Sequence, residues 1–537
     1  MLSHLFVYNL SALAFSALLP VASTLQHPRL VTKQTVPLSG HGTFQQYMDH
    51  NNIDKGTFSQ SFWFNSTYWK GPGSPIIFYT PGQNAAVGRL QYLTDATLPG
   101  LVAKEVGGAV VLVEHRYFGD SNPFQNLTTQ NMQYLTLEQV LADFVHFART
   151  ADLLFDPSGK SHPSQTPWVW IGNSYSAALV AWAERLVPGT FWAYYASGAM
   201  LNVIHDFWQF NFPTQQGMPE NCRSDFEAII GHIDSVFSSG TPMEQFELKK
   251  SFGLQDLSHL DDAANALSQP VIGWTFVQPS DEHTQFYDMC NAIESGELNV
   301  STDHDSNAND RLKRVLNNYA KWYTNSYLPG KCDSYGYSDW AGQSNVQCFD
   351  TVNPSWEAFR DLSVHNTLGR AWNWMTCTYF LLWITGAPVD KPTIYSRLVN
   401  TTYIERQCRI LFPSKENTAY GVTREAASDA MNSLTGGWDH QGKRIFFTNG
   451  ELDPWRSASV SSVFRPDGPM PSTSEQPVIL IKGVQHCADM LARNRINEPV
   501  RAAMDAGIAQ IAAWVAEFSR KKQFHEAQRP VQIKCIH

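Results

Sequence analysis

Residues 168–171, Trp-Val-Trp-Ile, run without a break into Gly172-Asn173-Ser174-Tyr175-Ser176, and a helical pattern opens at once with Ala177-Ala178-Leu179-Val180-Ala181-Trp182. A strand that becomes a helix within five residues confines the chain to folds in which a helix packs back on a largely parallel sheet. Small residues must stand where strand and helix approach. Gly172 meets that need, whereas Ser176 stands where the G-x-S-x-G pattern has its second glycine, so a slightly more crowded turn is expected. A serine on such an elbow is held in a strained backbone conformation with its hydroxyl exposed. The helical turn that follows offers backbone N–H groups and the positive end of a helix dipole to a developing oxyanion. The pentapeptide by itself fits equally well as a small-residue turn that packs strand on helix.

The same alternation recurs upstream. Residues 75–79, Pro-Ile-Ile-Phe-Tyr, and 109–113, Ala-Val-Val-Leu-Val, are short β-rich runs. Between the second run and the elbow lies a helix, with Thr136 as its cap, Gln139 three residues on, and Leu137, Val140, Leu141 and Phe144 on one face. From residue 202 to 437 the pattern changes to helical segments joined by polar loops, such as 311–323 and 424–434, the latter with Thr423 placed to cap it. Strand signals return at 444–448 and 478–481, and an amphipathic helix follows over residues 500–518. The economical architecture is one α/β sheet domain, in two parts at 40–201 and 438–525, interrupted by a largely helical cap insertion at 202–437. With 43% hydrophobic and 16% charged residues, the chain has the apolar material for such a core and is not a disordered chain.

This pattern is that of an α/β-hydrolase fold, in which an acid and then a histidine follow the serine, each in a loop after a later strand. Asp453 follows the run 444–448 in Asn449-Gly450-Glu451-Leu452-Asp453-Pro454-Trp455, and His486 follows 478–481 in Gly483-Val484-Gln485-His486. Taken singly, Asp453 is a turn aspartate before proline and His486 a surface or capping histidine. Taken in this order their chemistry is complementary: a serine hydroxyl is a weak nucleophile until an imidazole takes its proton, and a buried carboxylate must orient that imidazole. Ser174 is therefore the candidate nucleophile, His486 the base and then acid, and Asp453 the orienting carboxylate. The oxyanion hole should combine the Tyr175 N–H with one from residues 80–84, Thr-Pro-Gly-Gln-Asn, where Gly82 or Gln83 is the candidate. An ordinary connecting loop accounts equally for either. The chemistry calls for no cofactor and no metal, and the absence of a Cys-x-x-Cys pair disfavours a zinc ribbon or a thioredoxin-like site.

Several features point to export. An apolar run at residues 10–21, too short to span a bilayer, precedes the small residues Val21-Ala22-Ser23, so residues 1–23 read as a cleaved signal peptide, although a basic start is missing. N-glycosylation sequons begin at Asn65, Asn126, Asn299 and Asn400. The eight cysteines would permit four disulfides, with Cys332 to Cys348 and Cys377 to Cys408 closing the shortest loops. No later segment has the length of a transmembrane helix, so no membrane anchoring is expected. A net charge of −10 makes nucleic acid an unsuitable partner.

Longer stretches carry a family likeness. Phe44-Gln45-Gln46-Tyr47-Met48-Asp49-His50, Glu114-His115-Arg116-Tyr117-Phe118-Gly119-Asp120-Ser121, the elbow, Gly436-Gly437-Trp438 and residues 449–455 resemble motifs of the prolyl carboxypeptidase and dipeptidyl peptidase II family of serine peptidases, most of all its secreted fungal members, which include acid prolyl endopeptidases. The resemblance implies a peptide or protein substrate cut on the carboxyl side of proline, a secreted or vacuolar, lysosome-like location, and Trp455 as a wall of the proline pocket. An indole face suits a pyrrolidine ring, though a tryptophan beside such a loop serves equally as core packing. His115 and Arg116 read as scaffold. Three departures, Asn173 and Ala177 where the family has glycines and the loop 80–84 where its animal members have T-G-N-E-G, leave substrate size and the recognition of peptide ends open. Endopeptidase, carboxypeptidase and dipeptidyl peptidase action all fit. So do two other classes: an esterase or lipase on the same fold, and a catalytically silent binding protein.

Overall fold

The computed structural model describes residues 37–295, 308–413 and 424–527. The signal-peptide residues 1–23, Asn299, Thr423 and Cys535 lie outside the described residues. Eight strands form one sheet in the order β1-β2-β4-β3-β5-β6-β7-β8: β1 (Ser39–Tyr47), β2 (Thr57–Asn65), β3 (Ile76–Tyr79), β4 (Ala109–Val113), β5 (Trp168–Asn173), β6 (Ala193–Ser197), β7 (Ile445–Gly450) and β8 (Val478–Ile481). The β1-β2-β4 pairings are antiparallel, and every pairing from β4-β3 to β7-β8 is parallel. Parallel strands buried on both faces need apolar residues on both, which is why β3, β4 and β6 are buried throughout.

The period of two along each strand divides the core into two layers. Phe78, Val111, Trp170 and Phe447 pack on one face with the helices Leu137–Thr150 and Tyr175–Leu186. Tyr79, Leu112, Ile171 and Phe446 pack on the other with Leu98–Val106 and Glu498–Ala527. Thr136 caps the helix Leu137–Thr150 through the Gln139 N–H, as its spacing predicts. The C-terminal helix runs past the amphipathic stretch 500–518 to Ala527.

The structure adds β1, β2 and β6 to the strands read from the sequence. β1 is edge-like, Ser-Gly-His-Gly-Thr-Phe-Gln-Gln-Tyr, largely polar and alternately exposed, so it lacks the apolar run that marks the buried strands.

Between β6 and β7 the described residues contain helices and turns and no strand of the sheet. One layer of this stretch closes its own core, where Phe226, Ile230 and Ile233 of the helix Glu220–Ser239 meet Tyr319 and Trp322 of Ala308–Trp322. Another layer, including Trp374, Phe380 and Leu411, joins the sheet's core beside Trp182. Disulfides link Cys222 with Cys290, Cys332 with Cys348, and Cys377 with Cys408. The second and third are the shortest loops, and Cys487 is a buried free thiol. The architecture is the α/β-hydrolase fold with a helical cap. Among the described residues no helix is long and apolar enough to cross a membrane.

Candidate active site

Ser174 stands between the end of β5 and the helix Tyr175–Leu186, with φ 58° and ψ −131°. This backbone region costs a non-glycine residue of order ~1–3 kcal/mol. Hydrogen bonds on both sides hold it there: the Ser174 N–H donates to Ser197 O at the end of β6 (2.9 Å), and Ser174 O accepts from the N–H groups of Ala177 (2.9 Å) and Ala178 (3.1 Å). A Cβ on Gly172 would lie 2.5 Å from Ser176 O, so the turn admits only glycine there. Ser176 is buried, and its hydroxyl donates to Thr80 O at 2.8 Å.

That bond docks residues 80–84 on the first turn of the elbow helix. Gly82, at φ +59°, lies where a Cβ would be 3.2 Å from Tyr175 Cδ1 and 3.4 Å from Ser176 N. Gln83 follows it, half-buried. Backbone of Gly82 is thus held beside the helix N-terminus that carries the Tyr175 N–H, with Gln83 next to it in the chain. Tyr79 donates from its hydroxyl to Asn173 Oδ1 (2.9 Å), which fixes the side chain preceding Ser174.

Asp453 is fully buried. Its Oδ1 accepts the Trp455 N–H (2.9 Å), which caps the short turn Pro454–Ala458, and its Oδ2 accepts from His486 Nδ1 at 2.7 Å. With Nδ1 donating to Asp453, Nε2 carries the lone pair that can take a proton. This nitrogen is buried and has no hydrogen-bond partner among the described residues. Burial works against a charge on His486, but the Asp453 carboxylate, with the adjacent Cys487, outweighs it and raises the imidazole well above its ordinary range.

Gly198 brings this histidine to the elbow. It follows Ser197 at φ +64°, and a Cβ there would lie 2.9 Å from His486 Cε1 and 2.8 Å from Cys487 Sγ. The ring therefore stacks against the residue next to the carbonyl that holds the Ser174 N–H. Beneath the site is a carboxylate not anticipated from the sequence: buried Asp489 accepts from Tyr195 Oη (2.6 Å), Ser197 Oγ (2.5 Å) and Thr448 Oγ1 (2.7 Å), tying the ends of β6 and β7 to the histidine loop. Its spacing of three after His486 was the one available signal.

Trp455 is partly buried, its ring centroid 4.8 Å from Phe210, 6.1 Å from Phe207 and 6.4 Å from His486. Phe207 and Phe210 were missed because nothing in their own segment distinguishes them from core. His115 and Arg116 are buried. His115 Nε2 meets the Tyr175 hydroxyl at 3.2 Å, and Arg116 donates to both Asp143 oxygens at 2.6 Å. Of the sequon asparagines, Asn126 and Asn400 are exposed and Asn65 partly so.

A family model described as serine carboxypeptidase S28 matches residues 46–503. Serine protease vicPa of Bipolaris victoriae is 65% identical over 513 residues, covering 96% of this chain and 96% of that protein. A probable extracellular serine carboxypeptidase of Arthroderma benhamiae is 28% identical over 450 residues, 80% of this chain and 59% of its own length. Lysosomal Pro-X carboxypeptidase of Pongo abelii is 23% identical over 500 residues, 88% of each.

Proposed function

The chain belongs to the serine carboxypeptidase S28 family and is a serine-type peptidase, and we propose that it cuts on the carboxyl side of proline through a triad of Ser174, Asp453 and His486. The observation that carries the proposal is the 2.7 Å Asp453 to His486 contact, with a buried Nε2 that has no hydrogen-bond partner among the described residues, beside a serine elbow. His486 takes the Ser174 proton as Oγ attacks the acyl carbon, and Asp453 holds the tautomer and stabilises the imidazolium. The N–H of Tyr175 with that of Gly82 or Gln83 receives the oxyanion. His486 then protonates the leaving amine, and water, deprotonated by the same imidazole, hydrolyses the acyl-enzyme.

Trp455, backed by Phe207 and Phe210, offers a flat apolar wall matched to a pyrrolidine ring. The proline preference is also supported by the name of the Pro-X carboxypeptidase relative. Sequons, three disulfides and the extracellular relative support a secreted or vacuolar glycoprotein with Asn65, Asn126, Asn299 and Asn400 as acceptors. The test is mass spectrometry of products from amino-blocked and free proline-containing peptides, beside a short-chain ester. Cleavage after proline, lost in Ser174→Ala together with fluorophosphonate labelling, is the expected outcome. Ester cleavage with no peptide cleavage would overturn the proline assignment.

A further inference from the structure

One cap segment reaches both loops that carry the acid and the base. The turn Gln269–Phe276 begins with Pro270 in its first turn and presents Trp274, whose indole N–H donates to Leu452 O at 2.8 Å. Leu452 immediately precedes Asp453. Four residues after Trp274, Gln278 donates from Nε2 to His486 O at 3.1 Å. Two carbonyls, one next to the catalytic acid and one on the catalytic base itself, are therefore bonded by a single short piece of the insertion.

Both donors are themselves held. Trp274 is buried, with its ring 4.9 Å from Phe286 and its edge against the position where Gly217 would carry a Cβ (2.7 Å). Gln278 Oε1 accepts from Asn494 Nδ2 (2.8 Å), and the same amide donates to Ala488 O (2.7 Å) while Asn494 Oδ1 accepts from Ser280 Oγ (2.7 Å). Asn494 is fully buried with its capacity used, so Gln278 has one orientation available. The two loops are also bonded to each other, Leu452 N to Val484 O (2.9 Å) and Glu451 N to Ile481 O (2.8 Å), so a displacement at either carbonyl is passed to the other.

From this juxtaposition we infer that Trp274 and Gln278 are positioning residues: the cap sets the Asp453 to His486 geometry from outside the sheet. The inference rests on the triad proposed above. Neither side chain is assigned contact with substrate; each acts through a carbonyl whose loop aims a reacting group. Misplacement of such groups by a fraction of an ångström lowers turnover with little change in substrate affinity.

The test compares the purified full chain with Trp274→Phe, Gln278→Leu and the double variant, with kcat counted per fluorophosphonate-labelled Ser174. Each single variant is expected to lose about tenfold in kcat with KM within about twofold. The acid limb of kcat/KM should move to lower pH, because His486 facing a displaced Asp453 is less easily protonated, with the Cys487 thiol and Asp489 unchanged behind it. A purely structural role would lower the melting temperature and leave kcat per labelled site and the acid limb where they were; that result overturns the inference. Gln278 lies partly exposed at the cap's rim, so Gln278→Leu carries the test if Trp274→Phe fails to fold. Failure of the triad itself has a separate signature, wild-type activity that survives Asp453→Asn.

Discussion

The sheet and the cap are held together by different means. In the sheet, β3 to β8 are joined by a continuous parallel ladder in which β6 and β7 pair although the whole insertion lies between them in the chain. Among the described residues this half contains no disulfide, and its one cysteine, Cys487, is a buried thiol. The cap has helices without a ladder, and all three disulfides lie in it. A ladder fixes strand ends to a fraction of an ångström, whereas packed helices slide unless tied. Ser174 directly follows β5, Asp453 and His486 stand in the loops after β7 and β8, and the cap reaches those two loops through the carbonyls of Leu452 and His486 as well as through Trp455. The lesson is a division of labour: the ladder fixes the strand ends from which the loops of the proposed triad leave, and the cross-linked cap bonds to two of those loops.

Asp453→Asn tests the first half of that division most severely. The amide no longer favours the Nδ1–H tautomer, and kcat should fall about 10⁴-fold with the far-ultraviolet circular dichroism unchanged. Retained turnover would mean that the chemistry is not placed by the ends of β7 and β8. Next in size is Cys222→Ala with Cys290→Ala, which opens the longest disulfide loop, a separation of 68 residues. Loss of that constraint should cost about 4 kcal/mol, appearing in calorimetry as an earlier cap transition separate from that of the sheet. One unshifted cooperative transition would show that the halves are not distinct.

Acid sharpens the contrast with a smaller effect. Burial lowers His440, which packs against Phe447 of β7, from 6.5 to about 4. Its folded value lies below its unfolded value, so the stability it contributes is complete above pH 6.5 and is lost as pH falls toward 4. His440→Phe should therefore exceed the wild type by about 2 kcal/mol at pH 5, with the difference closing by pH 7 in urea titrations. In the cap, burial raises Asp262 from 3.8 to about 6 against the pull of Thr351 and Arg406. There the sign reverses: protonation between pH 6 and 3.8 favours the fold, and Asp262→Asn should flatten that gain.

The elbow, Asp453 and His486 were legible in the sequence because chain order along a parallel sheet dictates where loops fall, and each side chain follows its strand by a few residues. Cys332 with Cys348 and Cys377 with Cys408 were legible as short loops, whereas Cys222 with Cys290 depends on how two distant helices meet. β1 was not, since a polar edge strand carries no apolar run. Trp274, Gln278 and Asp489 were hidden for a common reason: the first two donate to backbone carbonyls and the third accepts from hydroxyls, partners brought near only by the finished fold, so nothing in the residues' own type marks them. Ser176, a departure from the glycine pattern, tethers the Thr80 carbonyl, a use that its residue type alone does not announce.

The placement of the cap between β6 and β7 orders events during synthesis. The elbow and its serine emerge with the first part of the chain, yet Asp453 and His486, proposed above to activate the hydroxyl, follow only after the entire insertion. Until β7 pairs beside β6, closing a contact of very high sequence separation, the nascent protein carries Ser174 without the acid and base proposed for it.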